Sequence, residues 1–146
     1  IKPTTINKPK TLFWVIAVVA LLWNLAGISA FLMDTFAKDM MLEGYTQEQI
    51  DVASNAPLWS SVAYGIATIT GLLGALMLLA RKKWAVSLFL ISLISSIFHS
   101  GYIIFGMDGL QTFGTFEGVV FPLIIVVLDI FFWWYSRSAS VKGWLK

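Results

Sequence analysis

The chain has 146 residues, 58% of them hydrophobic and only 12% charged, with a formal net charge of +2 and no cysteine. A soluble domain carries about 25% charged residues, so this composition cannot clothe a soluble surface. The missing cysteine excludes disulfides, thiolate catalysis and CxxC chemistry.

The apolar residues fall into four long blocks: Thr11 to Met33, Pro57 to Ala80, Trp84 to Gly106 and Val119 to Ser136. None contains Lys, Arg or Glu. Each is near the roughly 20 residues that a helix needs to cross about 30 Å of hydrocarbon. Barrel strands would be about ten residues long and alternating. The pattern predicts an all-α fold: an integral membrane four-helix bundle, one transmembrane domain over residues 1–146.

Helix one follows Lys2, Lys8 and Lys10. Its apolar run is too long for the h-region of a signal peptide and no A-x-A site follows, so it reads as a retained helix. The loop from Asp34 to Ala56 has Thr46 and Gln49 at capping-box spacing, which predicts a short surface helix from Gln47 to Ser54. Pro57 suits the first turn of helix two. Arg81, Lys82 and Lys83 form a minimal turn, so helices two and three are antiparallel neighbours. The second loop, MDGLQTFGTFEG, is Gly-rich and reads as irregular. Arg137, Lys142 and Lys146 follow helix four.

These segments place nine of the ten basic residues on one side, with no acidic ones. The other side holds Asp34, Lys38, Asp39, Glu43, Glu48, Asp51, Asp108 and Glu117. The positive-inside rule then predicts that both termini are cytoplasmic. Trp14, Trp84, Trp133, Trp134 and Trp144 fall near that interface and Trp59 near the opposite one, as an aromatic belt would. Trp23 is the exception, near mid-membrane.

Close helix packing in lipid uses small residues at four-residue spacing. Helix two offers Ala63, Ala67, Gly71 and Ala75 for helix packing, and helix one offers Ala17, Ala20, Asn24 and Gly27. Helix three carries Ser92, Ser95, Ser96, His99 and Tyr102, and helix four Pro122, Val126, Asp129 and Trp133. Asn24 lies roughly 19 Å from the start of helix one, and Asp129 roughly 15 Å from the far end of helix four. Both are near mid-membrane, with His99 about a turn away. This predicts one intramembrane polar cluster of Asn24, His99 and Asp129, with Ser95, Ser96 and Tyr102 as lesser members. Three readings of Asp129 stand side by side. It ties helices together, a bond of about 0.6 kcal/mol on average. It marks an ion or solute path. Or it pairs with a neighbouring subunit.

No catalytic residues and no metal ligands are assigned. A lone His falls short of the three or four ligands of a zinc site. GLLGALMLLARKK lacks the P-loop pattern, and GxSxG and HExxH are absent. The reading is not an enzyme, with no cofactor and no nucleic-acid partner. The expected partners are the lipid bilayer and a larger membrane complex or a second copy of the chain.

WNLAGISAF, GLLGALMLLARKKWAVSLFLISL and YSRSASVKGWL, in this order, resemble a family of small four-span bacterial proteins that often carry the generic label "sugar transporter". The resemblance covers most of the chain. It implies a bacterial cytoplasmic (inner) membrane and transport, without a substrate.

Helix axes in a bundle lie about 8–10 Å apart, so side chains are expected to fill this one and leave no room for a hydrated sugar. The favoured expectation is therefore an accessory or scaffold subunit packed in a larger membrane complex. The alternatives are an oligomeric transporter of a small solute or proton using Asp129 and His99, and a binder of lipid or a hydrophobic cofactor.

Overall fold

The structure is a computed structural model and describes residues 8–146; Lys2 lies outside them. Among the described residues all regular structure is helical. In chain order there are α1 (Thr11–Phe36), α2 (Lys38–Met41), α3 (Gln47–Ser54), α4 (Leu58–Leu79), α5 (Trp84–Gly101), α6 (Gly109–Thr115) and α7 (Phe121–Val141). A π-helical turn extends α5 over Tyr102–Gly106, and a second, Phe116–Val120, leads into α7. Four helices are long and apolar enough to cross a membrane. They bury few of their residues in the protein and show large apolar side chains such as Leu22, Ile66, Ile97 and Val127 outward, as helices bathed in lipid do. The chain is a multi-pass membrane protein.

α4 packs against α5, α5 against α7, and α1 against α4. α1 and α7 meet through rings, Phe13 with Tyr135 and Trp23 with Phe121. The start of α1, the α4–α5 turn and the tail after α7 gather at one end, called here the terminal end. Arg81 there takes a left-handed φ of 57°, a conformation that costs a non-glycine residue about 1–2 kcal/mol. Hydrogen bonds offset that cost: Arg81 Nε donates to the Trp144 carbonyl at 2.8 Å, and the Lys146 N–H donates to the Arg81 carbonyl at 2.8 Å.

The terminal half of the bundle is solid. Phe13, Leu78, Phe89 and Phe132 are buried among Ala17, Ala20, Ala75, Ala85 and Ala139. The small residues let the backbones approach and the large ones fill the remaining space. Trp144 lies at this end too and is buried against Phe13, ring centroids 5.8 Å apart. Trp14, Trp84 and Trp134 are exposed, as a belt requires.

The distal end differs from the sequence expectation. The loop read as irregular contains α6, and Gly114 at φ 89° and ψ 177° breaks the helix and turns the chain back. Gly109 and Gly118 then lie backbone to backbone, so closely that a Cβ on either would strike the other. Nine residues of unbroken helix would separate them by about 13 Å, so the segment is a hairpin. It docks on α3: Gln49 Nε2 donates to the Thr112 carbonyl at 2.9 Å, and the Tyr45 and Phe113 rings lie 6.0 Å apart. α3 is itself held by the expected capping box, in which Gln49 N–H donates to Thr46 Oγ1 at 3.2 Å and Thr46 N–H donates to Gln49 Oε1 at 3.0 Å. α2, α3 and α6 thus cap the distal end.

Candidate functional site

Between this cap and the terminal core the spans part around a cavity of about 550 Å³. The expectation that side chains fill the bundle fails here, for a local reason. At this level the inward residues are small: Ala26, Gly27 and Ala30 on α1, Ser60, Ser61 and Ala67 on α4, and Ser92, Ser96 and Ser100 on α5. No counterpart of Phe13 or Phe89 enters to occupy the space. Along α1 the wall runs from Trp23 to Asp34, about 16 Å of helix. Its lining toward the distal end, called here the mouth, includes Asp34, Lys38, Tyr45 and Glu117; toward the terminal core, called here the floor, it includes Asn24, Ser92, Ser96 and Asp129. Such a volume lies in the roughly 300–1,000 Å³ range of small-molecule pockets.

The floor is built by four helices. Asp129 on α7 is only 5% exposed, and its Oδ2 accepts a hydrogen bond from the Ser96 hydroxyl of α5. Ser92, one turn along α5, donates across to the Ala67 carbonyl of α4 at 2.7 Å. Asn24 donates from Nδ2 to the Ala20 carbonyl of its own helix at 2.7 Å. Its Oδ1 rests where Gly71 leaves α4 without a side chain, and a Cβ there would also be 3.1 Å from Ser92 Oγ.

His99 forms a separate station on the wall. Its Nδ1 is 3.3 Å from Ser60 Oγ, and its ring stacks on Tyr64 with centroids 4.4 Å apart. Ser100, 2% exposed, has a hydroxyl with no hydrogen-bond partner among the described residues. Near the mouth, the Tyr45 phenol is pushed up from its ordinary 10.0, first by burial and then by the Glu117 and Asp34 carboxylates.

The structure brings Asn24, Ser96, His99 and Asp129 to one cavity but not into one hydrogen-bonded cluster. Ser96 bonds Asp129, whereas Asn24 bonds the Ala20 carbonyl of its own helix and His99 meets Ser60, so the polar residues form separate stations on the wall. Ser95 is half-buried and Tyr102 packs its ring on Trp59 at 5.3 Å, and neither lines the cavity. Among the packing residues, Gly71 and Ala75 are buried between helices, Ala67 faces the cavity, and Ala63 is half-buried. On α7 the buried line is Pro122, Asp129, Phe132 and Ser136, with Trp133 turned aside under Arg137. Sequence reasoning missed Ser60, Tyr64 and Thr68. Their four-residue spacing on helix two was as clear a polar stripe as that on helix three. It also missed Ser100, which continues the line of Ser92 and Ser96. Trp23, the exception to the belt, lines the cavity opposite Phe121, ring centroids 6.4 Å apart.

Fold and cavity together define a multi-pass α-helical membrane protein with a polar-floored internal cavity. Comparison of the chain with protein-family models, with curated proteins and with solved structures finds no match.

Proposed function

We propose that this protein captures a small solute in the cavity, as the binding element of a transporter or a solute sensor. The observation that carries the reading is the cavity itself: about 550 Å³, polar at its floor and aromatic along its walls. The accessory-subunit expectation leaned on a filled bundle and loses that support. By the positive-inside rule the cap and mouth lie outside the cell and the solid aromatic core faces the cytoplasm. The resemblance to small bacterial four-span proteins agrees with a bacterial cytoplasmic membrane, with both termini inside. The solute would enter from outside and meet Asp129 at the closed end.

The absence of cysteine supplies a direct test. Ala30→Cys near the mouth and Ala67→Cys near the floor are expected to react with membrane-impermeant methanethiosulfonates of either charge added to intact cells. Ser138→Cys at the terminal end is expected to react only after permeabilisation. If Ala67→Cys stays unmodified while Ala30→Cys reacts, the floor is sealed from the mouth and the reading fails.

A second reading, a subunit of a larger complex or a homo-oligomer, draws on α1. Its buried residues are only Phe13, Ala17, Ala20 and Asn24, so most of its surface is open to another helix. Native mass spectrometry after gentle extraction separates the cases. A stoichiometric partner chain supports this reading, and a monomer with no partner rejects it.

A further inference from the structure

Asp129 reaches the cavity floor with half of its hydrogen-bonding capacity used. Ser96 satisfies Oδ2; among the described residues Oδ1 has no protein partner. A carboxylate at this depth is costly unless something compensates it, and among the described residues no cationic side chain lines the floor. The mouth repeats the imbalance. Asp34 and Glu117 line it, and among the described residues neither forms an ion pair. Lys38 is the cationic side chain there, and its Nζ is turned to the Ala53 carbonyl at 3.5 Å. The wall therefore carries three carboxylates against one ammonium.

Between mouth and floor, aromatic rings stand among the small residues of the wall. Trp23 and Phe121 meet on the α1–α7 side, ring centroids 6.4 Å apart. Tyr64 lies on the α4 side, and Tyr45, Phe113 and Phe116 stand below the cap. Aromatic faces attract cations, and quaternary or protonated amines are bound by such rings with a carboxylate nearby. Ser100 adds a buried hydroxyl on this wall that, among the described residues, has no hydrogen-bond partner. A metal ion fits poorly, since among the described residues no three His, Cys, Asp or Glu side chains converge, and the wall is mainly apolar.

We propose that the solute taken by the cavity is a small organic cation, an amine on an apolar body, whose ammonium pairs with Asp129 and whose body lies against the Trp23, Tyr64 and Phe121 rings. Asp34 and Glu117 concentrate the cation at the mouth. This inference rests on the cavity being a solute site, and adds the charge of the solute. It also accounts for the aspartate in an otherwise apolar span: the ligand is its counter-ion.

The test uses the full chain in nanodiscs, titrated calorimetrically with matched probes after subtraction of empty nanodiscs. The probes are phenethylamine, 2-phenylethanol, phenylacetate and D-glucose. Phenethylamine is expected to bind at least tenfold more tightly than 2-phenylethanol, with no binding of phenylacetate. Asp129→Asn is expected to reduce phenethylamine binding at least tenfold and leave 2-phenylethanol unchanged. Should that variant not fold, Asp34→Asn, half-buried at the mouth, is expected to weaken phenethylamine several-fold at low salt and less at high salt. Equal or tighter binding of 2-phenylethanol or D-glucose overturns the cation inference while leaving a solute site intact. Binding of none of the four also overturns it, and the cysteine-labelling result then decides separately whether the cavity is open to solutes.

Discussion

Ser96 and Asp129 join α5 to α7 through a hydroxyl–carboxylate hydrogen bond at the floor of the cavity. The bond does two things at once. It ties the helices, and it fixes one carboxylate oxygen so that the other remains for the cavity.

Polar bonds between membrane helices average about 0.6 kcal/mol and reach about 1.7. A double-mutant cycle on Ser96→Ala and Asp129→Ala should give a coupling in that range, measured by reversible unfolding in mixed micelles. A coupling near zero would mean that the two side chains do not meet in the folded protein.

Gly71 and Asn24 should be inseparable. A methyl at position 71 collides with Asn24 Oδ1 and crowds Ser92. Gly71→Ala is expected to cost about 1–3 kcal/mol, as overpacking does. Adding Asn24→Ala should recover much of it. Gly27→Ala is the control, because its methyl meets only Thr68 Cγ2 at an ordinary 3.7 Å. If Gly27→Ala is the more damaging of the two, the α1–α4 packing is not as described.

The hairpin at the distal end separates two uses of glycine. Gly118→Ala drives a methyl into the Gly109 backbone, and neither backbone can yield without opening the hairpin. Folded yield should fall sharply. Gly114 has open space around it but a φ of 89° and a ψ of 177°, so Gly114→Ala should cost only the strain of that conformation, about 1–3 kcal/mol. Thermal unfolding followed by size-exclusion chromatography distinguishes them, and equal damage from both would contradict the hairpin.

Tyr45 reports the charge at the mouth. Its phenol titrates above 10.0, with burial the first cause and the Glu117 and Asp34 carboxylates the next. The folded state holds this proton more tightly than the unfolded chain. Its contribution is therefore intact below pH 10 and declines as pH rises from there through the folded value. The phenolate absorbance lost in Tyr45→Phe should have a midpoint above 10.0, and Asp34→Asn with Glu117→Gln should lower it without returning it fully. An unchanged midpoint in that double variant would place the carboxylates too far away to act.

Much of the architecture is local and therefore readable in one dimension. The spans follow from the cost of carrying charge into hydrocarbon, which each residue incurs in place. The α3 helix follows from Thr46 and Gln49, three residues apart. Asn24, His99 and Asp129 stand out because each is polar in an apolar run. The sequence could also have shown the Ser60, Tyr64, Thr68 stripe, since four-residue spacing is itself a local signal. What the tertiary structure decided is how small residues are used. Ala75 and Ala67 look alike in sequence. Ala75 belongs to the buried cluster that Phe89 and Phe132 fill; Ala67 shares its cavity wall with Ser92, Ser96 and Asp129, which leave the space open. Whether a small side chain closes a bundle or hollows it depends on its neighbours from other helices. For that reason hydropathy and spacing located the spans and the polar residues within them, and only the packing of α1, α4, α5 and α7 revealed a cavity.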